Sequence, residues 1–405
     1  MALGLLFLAP ALPAFADDSD LLTDKTAWTA WEITPDIALP TGLVVLFYAI
    51  GMWRRRKSTQ RAPWWRHALF FAGMASIFLS LQSPIDAIAD RLFSMHQVQH
   101  LLLRMMGPML LMLAWPEALL LAGLPDWLRR YIVAPVVGNG TVRRVFGFLA
   151  HPVINTTLFI AALYAWQIPA IHDVALRNEN IHYVMHVTML LAGLIFWWRI
   201  FDRRQPRLAV DFDDEEAGLW RGFWRINRNY GMNYGGRLMM LWLVMLSNII
   251  LGAYTTLKSV VLYPAYDDYG RLFGMHPLTD EMVGGVIIWI PSSMMGMVAM
   301  LVTVFALIRH DTRFHQRRLL PLGSNAAALL YPTTGASLIL QARPKNRAMA
   351  FGFGLFALSV FASAILIGVF GHHLPGNAPR LLAKDGVVWH TDAASSPGAS
   401  GASLQ

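Results

Sequence analysis

The chain has 405 residues, of which 56% are hydrophobic and 14% charged, with a mean hydropathy of +0.44. Soluble domains carry about 25% charged residues, so one polytopic membrane domain fits better than the two or three soluble domains this length allows. The absence of cysteine excludes a disulfide scaffold, zinc fingers, thiolate nucleophiles and iron–sulfur ligation, and the net charge of +8 leaves nucleic acid or membrane orientation to be separated by where the charges lie.

The first segment, Met1 to Ala16, is apolar and ends Ala14-Phe15-Ala16 ahead of Asp17-Asp18. Small residues at −3 and −1 predict a signal peptide over 1–16, although its n-region has no Lys or Arg; an uncleaved short anchor is the alternative. Eight apolar segments then approach the length of a spanning helix, at 37–53, 65–82, 93–115, 152–170, 181–200, 238–257, 284–308 and 349–371. Between the fifth and sixth lies Asp202 to Arg237, too long for a turn and suited to an amphipathic helix on the membrane surface. A membrane domain over 17–371 and a Ser-, Gly- and Ala-rich disordered tail over 372–405 follow. Four alternate loops hold 25 of the 33 Lys and Arg. The positive-inside rule therefore turns them to the cytoplasm and both termini to the periplasm. Spread over four loops with no recognition motif, these charges argue against a nucleic-acid partner.

Two spans open on paired histidines, His96 with His100 and His182 with His186. Residues four apart share a helix face. Both helices run inward, so all four imidazoles lie at one depth near the outer surface. Imidazole suits copper, zinc, iron or nickel, and an ionisable group inside a span is expensive and usually functional. The bland reading is hydrogen bonding between helices. Met95 and Met185 adjoin the pairs, and thioethers favour Cu(I), although most of the 21 methionines are packing. Haem is a second reading. Two histidines one turn apart on one helix do not readily serve two haems, and one haem held across the helices leaves the other pair unexplained.

Ser83-Pro84-Ile85-Asp86 predicts a capped helix start. Asp90 shares a face with Asp86 and is either an acceptor for a histidine N–H or a solvated interfacial acid. His172, in the outer loop after Pro169, reads first as a surface histidine and second as an auxiliary ligand beside His182. Arg104 lies a turn below His100 and is expected to pair with an acid or a carbonyl. Asp280 and Glu281 sit in the first turn of the seventh span, where the helix dipole favours acids. Gly284-Gly285 permits close packing against the histidine helices. No nucleophile elbow, P-loop or dinucleotide fingerprint has a supporting context, and nothing points to an enzyme acting on an organic substrate.

At these residues the sequence resembles the CtaG family of cytochrome c oxidase assembly factors. The matching blocks are Ser83-Pro84-Ile85-Asp86, Ala89-Asp90-Arg91-Leu92-Phe93-Ser94, His96 and Gln99-His100-Leu101-Leu102, then His151-Pro152, Trp166 with Pro169, and Ala175-Leu176. His182 and His186 ahead of Gly193 and Phe196-Trp197-Trp198 continue the match. Tyr263-Pro264, Asp280, Gly284-Gly285, Trp289 and Pro291 complete it, over about residues 35–310. Family members tend to carry Trp-His where this chain has Trp166-Gln167, Tyr where it has His172, and Gln where it has Glu281. The resemblance implies a role in maturing a haem–copper oxidase.

The expectation is an all-α polytopic helical bundle of about eight spans, multi-pass in the bacterial inner membrane. It binds copper at His96, His100, His182 and His186, with His172, Met95, Met185 and Asp90 as auxiliaries. It hands the ion, as a chaperone, to the catalytic subunit of cytochrome c oxidase; a periplasmic copper donor and membrane lipid are further partners. A b-type haem electron-transfer protein, a copper transport or resistance protein and a purely structural scaffold stay open beside it.

Overall fold

The computed structural model describes residues 22–58, 62–204, 231–319 and part of 351–359. Helices account for all the regular structure among the described residues. They are α1 (Pro35–Arg54), α2 (Trp64–Gln82), α3 (Pro84–Ala89), α4 (Phe93–Ala114), α5 (Glu117–Gly123), α6 (126–138) and α7 (Gly140–Leu149). There follow α8 (Pro152–Trp166), α9 (Pro169–Arg177), α10 (Glu179–Ile200), α11 (Tyr234–Leu257), α12 (Ala265–Tyr269) and α13 (Pro277–Leu319).

Four of these are long and apolar enough to cross a membrane: α1, α10, α11 and α13 over Pro277–His310. Two bent pairs, α4 with α5 at 75° and α7 with α8 at 68°, raise the number to six if each pair is one span. The α2 helix occupies the expected segment 65–82, but Arg66, His67, Ser76, Ser80 and Gln82 make it less apolar than those. Most of 349–371, the leader 1–16, the tail and the surface helix expected within 202–237 lie outside the described residues.

The capped start predicted at Ser83 forms: its hydroxyl accepts the Ile85 N–H at 3.3 Å, and Pro84 takes the first helical position, where a missing N–H costs nothing. The α4 helix is not uniform. Its residues Leu101–Met106 form a π-type turn directly below His100, a widening that tends to occur at functional sites. The helix stops at Trp115, whose φ of 47° is left-handed, and Pro116 follows.

Glycines let three helices close on α4. A Cβ at Gly193 of α10 would strike the Arg104 carbonyl. One at Gly284 of α13 would strike the Phe93 ring, and one at Gly73 of α2 would crowd Gly107 and Leu111. Such small-residue contacts drive helix association in lipid, where apolar burial alone does not. Aromatic stacks fill the gaps, with Tyr48 on Phe70 at 3.6 Å and Phe159 on Phe196 at 4.2 Å between ring centroids. Between α5 and α8 the chain makes α6 and α7, the latter capped by the Asn139 side chain on the Thr141 N–H at 2.8 Å. Trp127, Tyr131 and Phe148 are exposed there beside Arg129, Arg130, Arg143 and Arg144, the composition of an interfacial layer.

Candidate metal centre

The outer end of α4 is held from outside its own sequence. The Asp280 carboxylate accepts the N–H of Phe93 at 2.8 Å and of Ser94 at 2.9 Å, and it also pairs with Arg271. Asp280 therefore satisfies the open N–H groups of α4, not only the dipole of its own helix. Glu281 does the same for the loop beyond α11. It accepts the N–H of Leu262 and of Tyr263, each at 2.9 Å, and pairs with Lys258. These two buried acids fix His96 on one side and Tyr263 and Tyr266 on the other.

On this frame the four predicted histidines come together. Ring centroids lie 4.4 Å apart for His96 and His100 and 4.4 Å for His182 and His186. Across the two helices His96 stands 5.2 Å from His182 and 6.0 Å from His186, and His100 stands 5.8 Å from His186. One ligating nitrogen from each of His96, His182 and His186 falls within 4.8 Å of the others. His100 lies outside that group of three and hydrogen-bonds His96, Nε2 to Nε2, at 3.0 Å. Among the described residues no hydrogen-bond partner reaches Nδ1 of His100, Nε2 of His182 or Nε2 of His186, although all three atoms are buried. Buried polar atoms are normally satisfied, so this set has the donor chemistry of a metal site. Tetrahedral ligands about 2.0 Å from an ion stand about 3.3 Å apart. The separations here exceed that spacing by up to about 1.5 Å.

A relay of hydrogen bonds decides which nitrogen His96 presents. His172 Nδ1 lies 2.9 Å from the Trp166 carbonyl, which only accepts, so Nδ1 carries the proton. Burial pushes His172 down to about 4, against the Trp166 carbonyl, so the ring is neutral and its Nε2 accepts. Tyr266 donates to that Nε2 at 2.8 Å. Burial, and then the Asp280 and Asp90 carboxylates, hold the Tyr266 phenol well above its usual range, so it stays a donor. Its oxygen accepts the remaining bond, from His96 Nδ1 at 2.9 Å. The lone pair of His96 is thereby placed on Nε2, facing the other imidazoles.

The surface position expected first for His172 does not hold: it is fully buried, and both ring nitrogens are taken by Trp166 and Tyr266. Asp90 Oδ1 lies 3.8 Å from His182 Nδ1. Met185 packs with Leu163, Ala175, Met189 and Ile288, and Met95 packs against Ala27, Ile88, Leu92 and Leu272. Asp86 accepts from the Gln99 amide of α4. Arg104 finds the carbonyl expected for it, Phe159 at 3.0 Å, with its guanidinium 3.8 Å from the centre of the Phe159 ring. Gln167 bonds Gln97 at 2.7 Å, and its carbonyl accepts from Tyr263 at 2.7 Å, which ties α8 to α4 and to the loop after α11.

Tyr266 was not legible as part of this site. It lies in a short polar helix with no helical partner in sequence, and only a buried acid 14–15 residues later folds it back. The nearest signal was Tyr263-Pro264 among the matched blocks.

The sequence pattern of the cytochrome c oxidase caa3 assembly factor family (Caa3_CtaG) matches residues 46–210 and 220–310. Among curated proteins, uncharacterised proteins of Mycobacterium bovis and Mycobacterium tuberculosis are each 25% identical over 302 residues, covering 71% of this chain and 41% of their own length. An uncharacterised protein of Mycobacterium leprae is 27% identical over 198 residues, covering 45% of this chain and 29% of its own. The chain thus spans about two fifths of the length of the first two relatives. No solved structure matches it.

Proposed function

Since this chain belongs to the cytochrome c oxidase caa3 assembly factor family, we propose that it is a membrane copper chaperone. It binds Cu(I) at His96, His100, His182 and His186 and supplies it to the catalytic subunit of a haem–copper oxidase. The observation that carries this reading is the convergence of imidazoles from two helices, with ligating nitrogens of His96, His182 and His186 within 4.8 Å. Imidazole suits copper, and Asp90, with Oδ1 3.8 Å from His182 Nδ1, stands beside the set as an auxiliary. Ligand exchange at this end suits delivery, since the His182 side chain keeps 16% of its surface exposed. The full chain in this reading has eight spans in the bacterial inner membrane, a cleaved leader at 1–16 and both ends in the periplasm. That places the imidazoles where a periplasmic donor and the oxidase meet them.

The clustering favours an ion over haem, because one haem held across the two helices leaves the other imidazole pair without a role. The deciding experiment is elemental analysis of detergent-purified protein after Cu(I) loading. Wild type is expected to retain about one copper per chain and the His96→Ala/His100→Ala variant less than a tenth of that. Equal retention by both proteins would end the proposal. A Soret band in the wild type would replace it with the haem reading, and copper uptake into vesicles with a transporter.

A further inference from the structure

The end of the bundle opposite the imidazoles holds a different set of groups. From His96 to Trp115 along α4 is about 28 Å at 1.5 Å per residue. There α5 and the ends of α1, α2, α4 and α10 line an open cavity of about 570 Å³. Arg55 and Arg56 reach it from just beyond α1, Arg66 from α2 and Arg203 from beyond α10, around the indole of Trp115. The guanidinium of Arg203 lies 4.7 Å from the centre of that ring and that of Arg66 5.3 Å. Arg66 is immobilised, with Nε on the Ala114 carbonyl at 2.7 Å and Nη2 on the Trp115 carbonyl at 2.6 Å.

Four guanidinium groups thus line the cavity against one carboxylate, Glu117. Among the described residues none of the four makes an ion pair. The neighbouring acid, Asp202, is taken by Arg199 at 3.6 Å and Arg204 at 2.7 Å. Such an excess of cations calls for an anion. Arginine suits phosphate, because its planar fork donates to two oxygens at once. We propose that this cavity binds the phosphodiester headgroup of an anionic phospholipid. Its place favours a lipid over a soluble phosphate. Trp53 and Trp64, exposed on the same helix ends, are the residues that mark a membrane–water interface. Met52 and Leu119 continue the wall in apolar side chains. Basic pockets between the ends of spanning helices are a common form of headgroup site.

The test uses the full chain, delipidated in neutral detergent, and native mass spectrometry with added phosphatidylglycerol or phosphatidylcholine. Wild type is expected to retain phosphatidylglycerol at least fivefold more than phosphatidylcholine. Arg55→Gln/Arg203→Gln is expected to lose that preference, leaving Arg66 to hold α4. Lys57→Gln/Arg130→Gln removes equal charge outside the cavity and is expected to keep it. Glu117→Gln is expected to raise retention, a gain that a misfolded variant cannot give. Equal retention of the two lipids by wild type, or equal loss in the two double variants, overturns the proposal. Binding of millimolar inorganic phosphate through Arg55 and Arg203 without any lipid preference overturns the lipid source and assigns the arginines to a soluble phosphate.

Discussion

Tyr266 stands between two imidazoles and gives each a fixed role, because a neutral phenol donates once and accepts once on this line. Tyr266→Phe leaves the His172 acceptor and the His96 donor without partners, at a cost of about 1–3 kcal/mol for each. It also frees the His96 tautomer. Losing such an orienting partner typically weakens metal binding about 10–100-fold. Competition with a chromophoric Cu(I) chelator measures this, and wild-type affinity in Tyr266→Phe would show that the relay does not serve the site. The same relay carries a pH dependence. Burial pushes His172 down to about 4 in the folded chain, against the ordinary imidazole value of about 6.5 when unfolded, so between those values the unfolded chain holds the extra proton. Its contribution is complete above pH 6.5 and is lost as pH falls toward 4, about 3 kcal/mol in all. Thermal melts of the copper-free chain from pH 7 to 4 are expected to fall less steeply in His172→Gln than in wild type. Parallel slopes would contradict this.

Among the helices, those built from apolar runs were legible before the structure. The expected 93–115, 181–200 and 238–257 correspond to Phe93–Ala114, Glu179–Ile200 and Tyr234–Leu257, because lipid demands length and apolarity along the whole segment. The i, i+4 spacing likewise placed both histidine pairs on facing surfaces. Short elements were not legible in this way. The α9 helix buries His172, yet Pro169 to Arg177 reads as a polar loop, since what buries it is Tyr266, 94 residues away. The role of Asp280 was similarly hidden: its partners, the N–H groups of Phe93 and Ser94, lie 187 and 186 residues earlier, and no local rule links them. Asp280→Ala strips α4 of this cap and removes one of the carboxylates on Arg271, which keeps Asp267 at 2.6 Å. The N–H groups of Phe93 and Ser94 then lose their acceptor, at about 1–3 kcal/mol each. A large drop in melting temperature in detergent is expected, with weaker copper retention. A shift of no more than a degree would mean that the carboxylate does not hold α4.

For the whole molecule, the two ends of the bundle differ in kind: neutral imidazoles and tyrosines at one, arginines and indoles at the other. In the proposed topology the arginine end faces the cytoplasm. The chain has no cysteine, so single substitutions test this without background. Glu179→Cys lies beside the imidazoles and Lys57→Cys beside the arginine cavity, both at exposed positions. In intact cells a membrane-impermeant maleimide is expected to label Glu179→Cys and to reach Lys57→Cys only after lysis. The reverse pattern would invert the topology and remove the imidazoles from the compartment in which the proposal needs them.

The widened turn at Leu101–Met106 has a bearing on which length changes the gene can tolerate. A π-type turn is an α-helix with one residue too many. Removing one codon within this stretch would restore regular winding, leaving Phe93 seated on Asp280 above and Gly107 seated on α2 below. The same loss between Ser94 and His100 would swing the imidazoles about 100° around the axis and away from their partners on α10. Along this helix, the place where a single-residue deletion is harmless lies one turn from the place where it is ruinous.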